Sequence, residues 1–123
     1  MADGIPGNSM NNSSSHSSLV SAIRLELGQE PDLTLWPVQP GGVADSTGRP
    51  MRCGPLGMSD LIGILAPLGR WVCLEVKTGR GKLRPDQVLW LDLIRRRGGF
   101  GAEVRSVEDA RAALARARRG ECL

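Results

Sequence analysis

Two apolar runs, Ser59–Ala66 and Trp71–Thr78, stand on either side of Pro67-Leu68-Gly69-Arg70. Leu61, Ile62, Ile64 and Leu65 fill the first, and Val72, Cys73, Leu74 and Val76 fill the second. Strand-length runs that are apolar on both faces belong in the middle of a sheet covered by helices on both sides. Yet these runs carry Asp60, Glu75 and Lys77. Ionised side chains enter such an interior only when paired or bound to a metal. With a turn over 67–70, Ala66 faces Trp71, Asp60 lies opposite Lys77, and Glu75 is the diagonal neighbour. Side chains alternate along a strand, so all three share one face of the sheet. A slip of one residue would move Asp60 to the other face.

Carboxylates on a diagonal have Cβ atoms roughly 7–8 Å apart, a span one divalent cation can bridge. Such a cation lowers the pKa of a bound water and offsets charge on a phosphate. A lysine beside it can hold the water or meet the charge that develops. The pattern suits metal-assisted hydrolysis of a phosphodiester. A structural ion cluster at a sheet end would use the same residues.

The rest of the chain reads as elements around this hairpin. Ser18–Leu27 has helical apolar spacing and Gly28 to end it. Leu33–Val38, bounded by Pro31 and Pro40, reads as a strand near an edge. Residues 39–58 form a long glycine- and proline-rich loop with room for a small hairpin around Ser46–Gly48. Pro85 opens a helix that Gly98-Gly99 stops, Phe100–Arg105 is a short strand, and Ser106 caps a last helix reaching about Arg119. The order is α-β-β-β-α-β-α. Trp90, Leu93, Ile94 and Cys73 read as core.

Residues 1–17 are rich in Ser and Asn and read as a disordered tail, with the lone His16 solvated inside it. Residues 18–120 read as one domain. Asp3 is the tail's only charge, so a chain of net +3 has a folded part of net +4. That mild basic bias permits a polyanion partner. No apolar run is long enough to cross a membrane, and no secretory signal is visible at the start. Three cysteines without a C-x-x-C pair argue against a disulfide framework or zinc knuckle and favour a reducing compartment. One Phe, three Trp and no Tyr weaken a base-stacking single-strand binder.

Asp60 followed fifteen residues later by Glu75-Val76-Lys77 resembles the PD-(D/E)XK nuclease pattern. With Gly57-Met58-Ser59-Asp60-Leu61-Ile62-Gly63 before it and Gln87-x-x-Trp90-Leu91 after it, the chain looks like the VRR-NUC branch of that superfamily, in particular its stand-alone phage and bacterial members. Ser59 stands where the nominal motif has proline. The resemblance implies an α/β, restriction-endonuclease-like αβββαβ core with a mixed central sheet flanked by helices. It implies a Mg²⁺- or Mn²⁺-dependent DNA endonuclease, a homodimer similar to Holliday junction resolvases, in the cytoplasm of a bacterial or phage-infected cell. By position, Asp60, Glu75 and the Val76 carbonyl become metal ligands and Lys77 the catalytic lysine. Gln87 matches a glutamine near the scissile phosphate, and Glu26 an acid that approaches the metal from the first helix. For Gln87 a first-turn cap, and for Glu26 a solvated glutamate or Glu30 in its place, remain open.

Gly79-Arg80-Gly81-Lys82 is no nucleotide loop, because Val76 and Leu83 replace its glycine and Ser/Thr. As a basic turn after Lys77 it places Arg80, Lys82 and Arg84 to touch DNA backbone. Arg49 and Arg52 sit in the loop before the hairpin, where they could contact the DNA substrate. Arg95-Arg96-Arg97 suits a helix C-terminus, with DNA contact second. Dimer surfaces on offer are the first helix with Leu19, Val20 and Ile23, or the long loop with Val43 and Met51. A flap, repair or nicking nuclease of the same superfamily could share every one of these residues. A non-catalytic DNA-binding module has little reason to keep Asp60, Glu75 and Lys77 together.

Overall fold

The two apolar runs do pair. In the computed structural model, which describes residues 8–38, 43–51 and 55–122, β4 (Leu61–Leu65) and β5 (Arg70–Val76) form an antiparallel hairpin at the centre of a sheet. β1 (Leu33–Pro37) pairs with β4 on one edge, and β6 (Phe100–Val104) pairs parallel to β5 on the other. The sheet order is β1-β4-β5-β6. A separate small hairpin joins β2 (Val43–Ala44) to β3 (Pro50–Met51). The Asp45 carboxylate holds its turn, accepting from the Thr47 and Arg49 N–H groups.

Both sheet faces are covered. Val72, Leu74, Val76, Leu61 and Phe100 pack under α1 (Asn8–Leu27) and α3 (Val107–Arg118). Ile62 and Cys73, on the opposite face, pack under Trp90, Leu91 and Ile94 of α2 (Pro85–Arg96). Each fully buried Leu or Ile contributes about 1.5–3 kcal/mol by leaving water. Ser106 Oγ accepts from the Asp109 N–H to cap α3. Among the described residues no helix is long and apolar enough to cross a membrane. The small hairpin aside, the order is α1-β1-β4-β5-α2-β6, an α/β fold consistent with a restriction-endonuclease-like core.

Three expectations are corrected here. The turn is Ala66–Gly69, so Leu65 faces Arg70 and the register is shifted by two residues. A shift of two keeps every side chain on its expected face. The first helix begins at Asn8, so residues 8–17 are helix and not tail. Extending a helix already anchored by packing costs far less than nucleating one, which lets poor helix formers such as Ser and Asn join it. Ile23 of that helix is fully buried, and Leu19 and Val20 pack against the same core. These residues are therefore internal packing and not a free dimer face. The Val43 and Met51 side chains, Arg52 and residues 1–7 lie outside the described parts.

Candidate metal and nucleic-acid site

Asp60 immediately precedes β4, and its Oδ2 accepts the Val76 N–H at 2.8 Å. Continued by one step, the observed register sets Asp60 across from Glu75 and not Lys77. Glu75 is the deepest charged group of the site, 2 % exposed. Its Oε2 accepts from Gln87 Nε2 at 2.8 Å and lies 3.4 Å from Lys77 Nζ. Its Oε1 has no hydrogen-bond partner among the described residues. Burial, and then the negative charge of Asp60, push the Glu75 carboxyl up to about 7, against the pull of Lys77.

The expected trio is thus together on the α2 face of the sheet, at the C-terminal end of β5. A buried carboxylate with an orphaned oxygen, beside a second carboxylate, matches the chemistry of a hard divalent cation. Asp60 and Glu75 offer carboxylate oxygens, and Val76 offers a backbone carbonyl. Among the described residues no three or more His, Cys, Asp or Glu side chains form a metal cage by themselves.

Gln87 caps its helix, as one of its two readings expects, and also bonds the Glu75 carboxylate. Its Oε1 accepts the Arg84 N–H at 2.9 Å, capping α2, while its Nε2 holds Glu75. With both ends occupied, it positions a carboxylate. Glu26 is not at the site. Its carboxylate pairs with Arg111 of α3, and ten residues of helix, about 15 Å, separate it from the turn of α1 that does reach Asp60. That turn carries His16, whose Nε2 stands 3.1 Å from the Val76 carbonyl oxygen and 3.4 Å from Asp60 Oδ2. The expectation of a solvated His16 is therefore wrong. Nothing near His16 in the sequence signals the contact, because it depends on where α1 crosses the sheet.

The segment before Asp60 is held to α2. Trp90 Nε1 donates to Ser59 Oγ at 2.9 Å, and both residues are buried. The serine at the nominal proline position is thus a hydrogen-bonding partner of the glutamine helix. Gly57, at φ +81°, lies so close to the Asp86–Gln87 backbone that any Cβ would sit 2.3 Å from the Asp86 carbonyl oxygen. Cys73 lies beneath, its thiol pushed up to about 12 by burial.

Past Lys77, Arg80 and Lys82 are exposed. Arg84 is exposed too, but its guanidinium pairs with Asp86 at 3.2 Å and holds that carboxyl below the usual range. Arg95 bonds the Gly101 carbonyl and Arg96 pairs with Asp92, which favours the helix-end role for that trio. No curated protein matches the chain. Residues 49–109, running from the β2–β3 turn into α3 and spanning Asp60, Glu75, Lys77 and Gln87, match the family model described as the VRR-NUC domain, and the match supports a nuclease-type, DNA-processing function.

Proposed function

We propose that the chain is a Mg²⁺- or Mn²⁺-dependent DNA endonuclease that hydrolyses phosphodiester bonds. The observation that carries this is the buried Glu75 carboxylate with its unpartnered Oε1, set between Asp60 and Lys77. Asp60, Glu75 and the Val76 carbonyl hold the cation, which when bound supplies Lewis acidity toward the phosphate and a more acidic water. Lys77 Nζ, kept near the site by Glu75, holds the attacking water or meets charge building on the phosphate oxygens. Gln87 keeps Glu75 from turning away. Burial under α2 makes each of these interactions stronger than it would be in open water.

Arg80 and Lys82 approach the DNA backbone, with Arg84 partly committed to Asp86. Phosphate contacts release counterions, so replacing Arg80 and Lys82 by Ala should flatten the log–log salt dependence of binding by about one to two units. Arg84→Ala should change it less. Equal slopes for wild type and the double variant would leave Arg80 and Lys82 as ordinary solvated surface.

We further propose a branched substrate and a symmetric homodimer, which would bring two sites to a four-way junction. Ile64 and Trp71 face each other across β4 and β5, 41 % and 46 % exposed, beside the exposed Leu68. A second copy is a fitting cover for this apolar patch. The expected result is Mg²⁺- or Mn²⁺-dependent cutting of a four-way junction in preference to linear duplex, with a dimer mass by light scattering. Chelation or Asp60→Asn should stop it. Undiminished cutting by Asp60→Asn would sink the metal-dependent reading. A monomer that cuts flaps, plasmid and junctions alike would sink only the resolvase part.

A further inference from the structure

We propose that His16 is itself a ligand of the cation proposed for this site, an imidazole donor that α1 brings beside Asp60 Oδ2 and the Val76 carbonyl. The inference rests on the metal-dependent reading above. Nε2 of His16 faces two of the oxygens assigned to the cation, the Val76 carbonyl at 3.1 Å and Asp60 Oδ2 at 3.4 Å. Neighbouring ligands of an octahedral divalent ion, each about 2.1 Å from it, are about 3 Å apart. His16 Nε2 therefore stands from each of these two oxygens at about the separation of adjoining corners of one coordination shell.

The supporting helix is well seated, since Ile23 and Leu27 of α1 are buried in the core. Glu26, the acid expected to serve from this helix, is committed to Arg111. Among the described side chains of α1, His16 is one that reaches the site. With its proton on Nε2 the ring donates to the Val76 carbonyl. The Nδ1–H tautomer instead presents the Nε2 lone pair to a cation. Nitrogen is a softer donor than carboxylate or carbonyl oxygen. Its presence adds more affinity for a transition-metal ion such as Mn²⁺ than for Mg²⁺, which prefers oxygen.

His16 is the only histidine in the chain, so an imidazole nitrogen signal at a bound ion has one source. Untagged protein loaded with Mn²⁺ should show imidazole ¹⁴N modulation in pulsed EPR, changing to ¹⁵N when histidine alone is labelled. By calorimetry, His16→Ala should lower Mn²⁺ affinity at least about ten-fold, the scale lost even when an outer partner of a ligand is removed. Mg²⁺ affinity should fall less. If Asp60→Asn abolishes Mn²⁺ binding but wild type gives no histidine nitrogen signal, His16 is not a ligand and the metal site stands. Tighter Mn²⁺ binding by His16→Ala would make the imidazole an obstruction and overturn the assignment. Absence of Mn²⁺ binding by wild type would overturn both the assignment and the reading on which it rests.

Discussion

Glu75→Gln should destroy cleavage and, at the same time, stabilise the metal-free protein at pH 8. Loss of a ligand charge should lower the cutting rate on the order of 10²-fold or more, beyond the 10–100-fold that follows loss of an outer partner. The stability gain comes from the raised carboxyl. In the unfolded chain Glu75 titrates near 4.5, and in the fold at about 7. Between those values the folded state binds more protons than the unfolded state, so stability falls as pH rises, and the penalty is complete above about 7. A glutamine carries no such penalty and can still accept from Gln87 and Lys77. Urea unfolding in chelator at pH 8 should show a gain of about 2–3 kcal/mol, vanishing toward pH 4.5. A variant that cuts at the wild-type rate, or that is less stable than wild type at pH 8, would mean that the buried carboxylate is not held there at a cost to stability for the sake of a cation.

The second large effect is expected at Gly57. An alanine there must hold φ near +81° and place its Cβ 2.3 Å from the Asp86 carbonyl oxygen and 2.9 Å from the Gln87 nitrogen. Left-handed backbone costs a non-glycine residue about 1–3 kcal/mol, and forced overpacking against backbone about 1–3 more. Gly48 is the control. Its φ is +87°, and nothing lies within 4 Å of its Cβ position. Gly57→Ala should therefore cost about 2–6 kcal/mol in urea unfolding and Gly48→Ala only the backbone part. Equal losses would show that α2 yields readily where it meets the segment before Asp60. Because Gln87 lies at that contact, Gly57→Ala should also slow cleavage at temperatures where the variant is folded.

Much of the site was legible because strand periodicity is local. Apolar runs on both faces placed β4 and β5 at the sheet centre, and the parity of the pairing put Asp60, Glu75 and Lys77 on one face. The register itself depends on Arg70, which joins β5 instead of the turn. Its guanidinium reaches the Gly98 and Ala117 carbonyls, partners far away in the chain. Tertiary placement also decided the helical residues. Glu26 and His16 lie on the same helix, and only the crossing of α1 over the sheet selects which one meets Asp60. The bond from Trp90 to Ser59 joins residues thirty-one apart, and no spacing rule marks it. Gln87 was ambiguous between a cap and a site residue because its two amide atoms serve both.

Arg105 bears on how the site meets a long, flexible polyanion. From the end of β6 its guanidinium bonds the carbonyls of Gly79 and Gly81, flanking Arg80, and it also pairs with Glu103. A glycine-rich basic loop left to itself samples many shapes and must surrender that freedom whenever it docks. Here two of its carbonyls are already fastened before any nucleic acid arrives. Arg80 and Lys82 thus ride on a frame already ordered by folding, and if they meet DNA as proposed, the encounter has mainly their side chains left to order. Arg105 would in this way set how tightly its neighbours hold the phosphate chain.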